Sequence, residues 1–232
     1  GVSTGNLPDS YIYAAENGAV ISQNSWGYSL PDAYEQSVLD AIDYFIEEAG
    51  DYDGSPMKGG VVIFAAGNNN YEGKWYPAYY ENVIAVSALD ASNHKATYSN
   101  YGTWLDIAAP GGDTQDDSDA VDNEGNEYFS NGILSTFDNN EYGYLDGTSM
   151  ACPHITGVAA LVVSEFGSST FTASALKSHL LTGVNNIDTI PENSFYEGKL
   201  GLGITDAALA LKENEGLAPN SISDLELKGI SQ

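Results

Sequence analysis

The chain has 232 residues, of which 42% are hydrophobic, and this is enough to bury one core of single-domain size. It contains 33 acidic residues, 7 lysines and no arginine, and the resulting net charge of −26 leaves no basic surface for nucleic-acid phosphates. We therefore expect no nucleic-acid partner, and we expect no membrane span because no apolar run approaches the about 20 residues that cross a bilayer.

The first part of the chain alternates apolar runs with one amphipathic helix. Residues 19–22 (AVIS) lead into QNSWGYSLPD, and residues 32–49 then carry apolar side chains at three- and four-residue spacing, which predicts a helix between Pro31-Asp32 and Gly50. Short runs rich in valine and isoleucine follow, and they predict buried parallel strands. These runs lie within residues 59–68, 81–90, 103–112 and 132–136.

The later part of the chain is mainly helical in pattern. Helices are predicted over residues 153–166 and 173–182, and a brief one over 204–211. Apolar strands that alternate with helices are typical of an α/β fold, here with a mostly parallel sheet flanked by helices.

Two segments differ from this pattern. Residues 113–131 are acidic and poor in apolar side chains, which predicts a surface insertion. A calcium-binding EF-hand loop is the alternative, but Val121 stands where a third oxygen ligand is required after Asp117 and Asp119. Residues 216–232 read as a linker and the stub of a further domain, so the main domain is assigned to residues 1–215. Because the chain begins with glycine, we expect residue 1 not to be the natural start.

The stretch GYLDGTSMACPHITGVAAL, residues 143–161, places a serine at a sharp turn before an apolar helix. Backbone N–H groups at a helix start favour developing negative charge, so Ser149 is a candidate nucleophile, whereas capping of the helix is the alternative role. Pro153 fits a first helical turn, and the lone Cys152 is interpreted as a small buried residue.

The segment GTSMACPHITGVAAL closely resembles the serine segment of the subtilisin-like serine proteases (subtilases). Four further segments resemble blocks of that family and occur in the family's order: ISQNSWGY, VVIFAAGN, YSNYGTWLDIAAPGG and GKLGLGITDAALAL. The resemblance runs from about residue 16 to residue 211. It implies the C-terminal two-thirds of a subtilisin-like peptidase domain, incomplete at its N-terminus.

The resemblance also assigns roles to individual residues. Ser149 is the implied nucleophile, and Asn68 pairs with the Ser149 N–H as the implied oxyanion hole. The resemblance implies a specificity pocket with two walls, Ser25, Trp26 and Gly27 on one side and Ala65, Ala66 and Gly67 on the other. It also implies that a peptide lies between these walls as an added β-strand. Trp75 falls where the family often has a small residue at the pocket floor, so a shallow pocket is our hypothesis.

The family's catalytic Asp and His are expected upstream of residue 1, in contexts such as Asp-Ser/Thr-Gly and His-Gly-Thr-His. By the resemblance His154 is structural, while His94 and His179 are interpreted as surface or packing residues. We therefore expect this chain alone to be nearly inert. We expect the N-terminal segment to be a separate chain, an omitted piece of the sequence or absent from the gene.

Catalysis by this family implies no metal, but a structural calcium or sodium ion is implied near the segment YPAYYENV. The ligands carried over are the carbonyls of Ala78, Tyr80 and Val83 and the side chain of Asp106. A local hydrogen bond of Asp106 is the alternative.

Three functions remain open at this stage. The first is a secreted or cell-surface serine endopeptidase that cleaves polypeptides through an acyl-enzyme. The second is a non-catalytic domain of the same fold that binds extended peptides or a protein partner in its groove. The third is a calcium-binding surface module, which rests on the acidic segment alone.

Overall fold

A six-stranded sheet forms the centre of the computed structural model, which describes residues 6–114 and 131–212. Its strands are β1 Ile21–Asn24, β2 Val61–Ala65, β3 Ile84–Leu89, β4 Ile107–Pro110, β7 Val184–Asn185 and β8 Ile204–Thr205. They lie in the order β1-β2-β3-β4-β8-β7, and all neighbours are parallel except the β7–β8 pair. The predicted mostly parallel sheet is confirmed.

Helices cover both faces of this sheet. They are α1 Leu7–Glu16, α2 Gln36–Glu48, α3 Thr148–Phe166, α4 Ala173–Thr182 and α5 Ala207–Ala210, with short 3-10 turns at Asp138–Asn140 and Pro191–Tyr196. Successive side chains of a strand point to opposite faces. In β2, Val62 and Phe64 therefore pack with α1 and α2, whereas Val61 and Ile63 pack with α3 and α4. Burial on both faces explains why the strands are apolar without alternation.

Two predicted helix starts are wrong. Helix α2 begins at Gln36 and not at Asp32, because Asp32 has a left-handed backbone (φ 59) and donates its N–H to the Lys74 carbonyl. Helix α3 begins at Thr148, so Pro153 lies inside the helix and not in its first turn. The pattern also missed α1 and the two short strands β7 and β8, of which β8 falls within the predicted helix 204–211.

The run at 132–136 is a strand, but its predicted place in the parallel sheet is wrong. It forms β5 Ile133–Thr136, which pairs antiparallel with β6 Tyr142–Leu145 in a separate hairpin. Leu134 is 56% exposed, so this apolar run faces outward. A partner strand only six residues further along the chain favours a local hairpin over a distant place in the sheet.

Helix α3 is the one segment of residues 6–114 and 131–212 that is long and apolar enough to suit a membrane. It packs across β1 to β4 as the central helix of the core. Cys152 on this helix is fully buried, with its Sγ 3.5 Å from the Ile63 carbonyl oxygen, and burial raises the pKa of its thiol. The interpretation of Cys152 as a small buried residue is confirmed.

Most of the predicted acidic insertion and the whole predicted stub lie outside the described residues. These are residues 115–130 and 213–232. The EF-hand alternative, the calcium-binding module and the boundary at residue 215 therefore stay predictions.

Candidate active site

The serine turn forms the N-terminal end of α3. Gly147 caps the helix with φ 151, a conformation that favours glycine, and Thr148 and Ser149 are the first two helical residues. Ser149 is therefore not the cap of this helix. Within the described part of the chain, its hydroxyl has no hydrogen-bond partner and its N–H, in the first turn, has no acceptor.

Pro153 gives the Ser149 carbonyl an unusual partner. A helical carbonyl normally accepts from the N–H four residues on, but residue 153 is proline and has none. Instead, Ser25 Oγ donates to the Ser149 carbonyl oxygen at 2.8 Å. This bond ties the loop after β1 to the turn that carries the serine.

Asn68 is oriented by Thr148. Its Oδ1 accepts from the Thr148 N–H at 2.9 Å and from the Thr148 hydroxyl at 2.7 Å, while that hydroxyl accepts from the Gly67 N–H at 3.1 Å. The oxygen end of the amide is held by Thr148, and the Asn68 NH₂ group has no acceptor among the residues that the structure describes. It lies beside the serine turn, because a Cβ on Gly147 would be 3.4 Å from Asn68 Nδ2.

Asn100 supports the loop that carries Asn68, and sequence reasoning missed it. Its side chain is fully buried, donates to the Ala66 carbonyl at 2.9 Å and accepts from the Asn69 and Tyr71 N–H groups at 3.0 and 3.1 Å. Its own N–H donates to the Gly67 carbonyl at 2.9 Å. The only signal in the sequence was an asparagine in the block YSNYGTW, which says nothing about its partners.

A cleft of about 300 Å³ brings most of the predicted site together. Its lining includes Ser149 and Asn68 and five of the six predicted wall residues, namely Ser25, Trp26, Gly27, Ala65 and Gly67. Ala66 does not line it. That residue is fully buried, its N–H donates to the Val86 carbonyl and its own carbonyl accepts from Asn100, so it braces the wall from behind.

No histidine of this chain reaches Ser149. The ring of His154 bonds its own helix through Met150 O at 2.8 Å, and His94 lies between Asp90 and Glu192, at 3.2 and 3.7 Å. His179 is buried, donates to a carbonyl of α5 and stacks on Phe166 with ring centroids 4.6 Å apart. Each ring thus has a structural role in the fold.

The donors of the implied cation site are partly engaged by protein groups. Asp106 Oδ2 accepts from the Ala85 N–H at 2.8 Å, and Lys177 Nζ lies 3.3 Å from the Val83 carbonyl and 4.0 Å from Asp106 Oδ1. The Tyr80 carbonyl accepts from the Val83 N–H, while Ala78 is buried nearby in the same loop. Burial raises the pKa of the Asp106 carboxyl, and Lys177 opposes that shift.

In a comparison with known proteins, residues 1–201 match the Subtilase family. The chain belongs to the subtilase family. Among curated subtilases it is 39% identical over 160 residues to "Thermophilic serine proteinase" of Bacillus sp. (strain AK1), covering 69% of this chain and 32% of that protein. It is 34% identical to "Thermitase" of Thermoactinomyces vulgaris, covering 68% and 46%, and 32% identical to "Subtilisin DY" of Bacillus licheniformis, covering 84% and 59%. The chain thus spans between about a third and three-fifths of these relatives.

Solved structures show the same fold. A protease of Pseudoalteromonas arctica PAMC 21717 superimposes with a TM-score of 0.66 at 28% identity, covering 88% of this chain and 57% of that one. The prenylagaramide maturation protease PagA superimposes at 24% identity with a TM-score of 0.67, covering 88% and 65%, which supports the fold alone. Subtilases generally need no catalytic cofactor.

Proposed function

We propose that this chain is the serine-bearing part of a serine endopeptidase that hydrolyses peptide bonds of polypeptides through an acyl-enzyme. The observation that carries the proposal is that Ser149 and the oriented Asn68 amide line one cleft. A helix cap or a packing serine requires no such amide at its side.

In the proposed reaction, Ser149 Oγ attacks the peptide carbonyl carbon and its proton passes to a general base. The carbonyl oxygen becomes negative and accepts from the Ser149 N–H and the Asn68 NH₂ group. Collapse breaks the C–N bond, the amine leaves with the proton from the base, and water then hydrolyses the ester. The segments that include Ser25–Gly27 and Ala65–Gly67 hold the peptide in extended form between them.

We place the general base, with the carboxylate that orients it, outside residues 1–232. The three histidines are engaged elsewhere, as described above. Strand β1 pairs on one side only among the described strands, so its other edge is available to a strand from the segment that brings the base. Without that segment only the oxyanion donors and binding act, which leaves about 10³–10⁴-fold catalysis over water. We therefore expect the chain alone to be nearly inactive.

We also retain the domain assignment, with residues 1–215 as the peptidase part and 216–232 as a linker and stub. The missing N-terminal segment is proposed as a partner, as part of the same product or as a separate chain. A net charge of −26 keeps an enzyme soluble and suits a calcium-rich exterior, so we propose a secreted or cell-surface location.

For the cation site, the oxygen donors of Ala78, Tyr80, Val83 and Asp106 suit calcium or sodium by their chemistry. Because the Lys177 ammonium already contacts the Val83 carbonyl and faces Asp106, we propose that Lys177 supplies most of the positive charge there. An inorganic cation would then bind only weakly at this place.

Fluorophosphonate labelling read by intact mass tests the proposed reaction, on this chain and on the product of the complete gene. We expect labelling of the complete product, its loss in Ser149→Ala, and no labelling of the chain alone. Ser92→Ala is the matched control, since it removes an exposed serine hydroxyl that does not line the cleft and keeps the nucleophile.

A non-catalytic domain that binds extended peptides or a protein partner is the second candidate. It is favoured by a cleft whose walls are formed although none of the three histidines of this chain bonds Ser149. Absence of labelling in the complete product, together with peptide binding to the cleft, would decide for this candidate.

A further inference from the structure

The cleft beside Ser149 contains an indole between its two walls. A Cβ built on Gly27, in one wall, would lie 3.4 Å from Trp75 Nε1, and a Cβ built on Gly67, in the other, would lie 3.3 Å from Trp75 Cδ1. Trp75 itself is only 8% exposed. The ring therefore occupies the space between two main chains that carry no side chains at this level.

The backbone on both sides of Trp75 is held by hydrogen bonds. The Tyr28 N–H donates to the Tyr76 carbonyl at 3.1 Å, and the Asp32 N–H donates to the Lys74 carbonyl at 3.0 Å. The carbonyl of Trp75 itself accepts from the Tyr79 N–H at 2.9 Å. The indole is thus anchored to the segment after β1, which forms one wall of the cleft.

The ring also packs edge-on against Tyr71, with centroids 6.0 Å apart and planes at 70°. Turning the indole away from the cleft would break this contact and expose a buried apolar ring to water, which is unfavourable. The ring is therefore a fixed part of the cleft and not a lid that a bulky substrate side chain displaces freely.

We propose that Trp75 closes the pocket for the side chain that precedes the scissile bond, and so restricts cleavage to peptide bonds after glycine, alanine or serine. This inference rests on the proposed function. The pocket walls are main chain at Gly27 and Gly67, so they tolerate a small side chain, whereas an aromatic or long aliphatic side chain would need the volume that the indole fills. An excluded side chain also forces the scissile carbonyl away from the donors of Asn68 and Ser149.

Two measurements test the inference, on wild type and Trp75→Gly. The first is kcat/KM of the complete gene product on acyl-tripeptide anilides that differ only in their last residue, alanine or phenylalanine. The second is calorimetric binding of the corresponding peptide acids to the complete product with Ser149→Ala, which requires no catalysis. Trp75→Leu is a second variant that keeps an apolar side chain in case glycine prevents folding. Trp104→Phe is the matched control, because Trp104 packs on Tyr79 and does not line the cleft.

We expect wild type to prefer alanine over phenylalanine by at least 100-fold in kcat/KM and to bind the alanine peptide more tightly. Trp75→Gly should reduce the preference at least 30-fold, Trp75→Leu in part, and Trp104→Phe not at all. The inference would be overturned by equal kcat/KM and equal affinity of wild type for the alanine and phenylalanine peptides, or by an unchanged preference in both Trp75 variants. If binding is ordered by size but no variant cleaves, the proposed function fails and the pocket inference stands. If no peptide binds or is cleaved, both are overturned.

Discussion

Replacing Thr148 by valine tests whether the orientation of Asn68 matters for the reaction. Valine has the same shape but lacks the hydroxyl, which donates to Asn68 at 2.7 Å and accepts from the Gly67 N–H at 3.1 Å. Thr148 is 1% exposed, so water does not easily replace the lost group. The Asn68 amide then keeps only the bond from the Thr148 N–H and is free to rotate about it.

The expected magnitude follows from these contacts. Complete loss of the side-chain donor of the oxyanion hole lowers kcat by about 10²–10³-fold in subtilisin itself, a relative of this chain, and that is the upper bound. An amide held by one bond instead of two keeps part of its effect, so we expect kcat to fall about 10- to 100-fold, or roughly 1.4–2.7 kcal/mol. An unsatisfied Gly67 N–H should also lower the free energy of unfolding by about 1–3 kcal/mol.

The assay is steady-state hydrolysis of a peptide anilide by the complete gene product, with kcat and KM determined separately. We expect KM to change little, because the oxyanion forms only during the reaction. Thr148→Ser is the matched control and should keep most of the wild-type kcat, since it retains the hydroxyl. A Thr148→Val enzyme with wild-type kcat and reduced stability would refute the positioning role and leave Thr148 as a purely structural residue.

Three further predictions concern stability and cations. Asn100→Ala should lower the free energy of unfolding in urea by about 2–4 kcal/mol, since three loop groups lose their buried partner; a change under about 0.5 kcal/mol would contradict its bracing role. Lys177→Met should lower the melting temperature and make it rise with added calcium or sodium, whereas Lys177→Arg should behave as wild type; a cation response equal to that of wild type would argue against Lys177 as the resident charge. Burial lowers the pKa of Lys95 to about 8 against the opposing effect of Asp113, so the unfolded chain binds a proton that the folded chain lacks between about pH 8 and 10.5. The contribution of Lys95 to the free energy of unfolding should therefore rise over that range, whereas burial raises the pKa of Tyr11, Tyr80 and Tyr98 and acts in the opposite direction near pH 10. Urea titrations at about pH 8 and about pH 9 should show a rise in wild type that Lys95→Met lacks, and an equal rise in both would contradict the prediction.

Sequence patterns predicted the positions of the strands better than they predicted which strands pair with each other. The apolar runs of β2, β3 and β4 were located because burial on both faces demands continuous apolar side chains. The same rule misplaced β5, since an apolar run does not reveal whether it enters the sheet or pairs with its neighbour in a hairpin. Strands β7 and β8, of two residues each, are too short to carry a period.

For the site, the resemblance to the subtilases suggested Ser149, Asn68 and the two segments that form the walls, because each lies in a short segment that can be compared with the family residue by residue. It did not identify Thr148 and Asn100 as the residues that orient Asn68 and support its loop, since these contacts join positions about 30 to 80 residues apart. The sequence pattern also did not predict the hydrogen bond from Ser25 to the Ser149 carbonyl, which lacks its usual helical partner because residue 153 is proline.

The sequence by itself determined the α/β class through its pattern of apolar strands and helices, and its resemblance to the subtilases indicated the family and the candidate site residues, because such segments can be recognised from neighbouring residues. Only the tertiary structure decided that all three histidines bond groups away from Ser149. It also decided that Lys177 lies among the oxygen atoms of the implied cation site, and that an indole fills the space between Gly27 and Gly67. The physical reason is that hydrogen bonds, charge pairs and the volume of a cleft depend on which distant segments meet. That is set by the packing of the whole sheet and its helices.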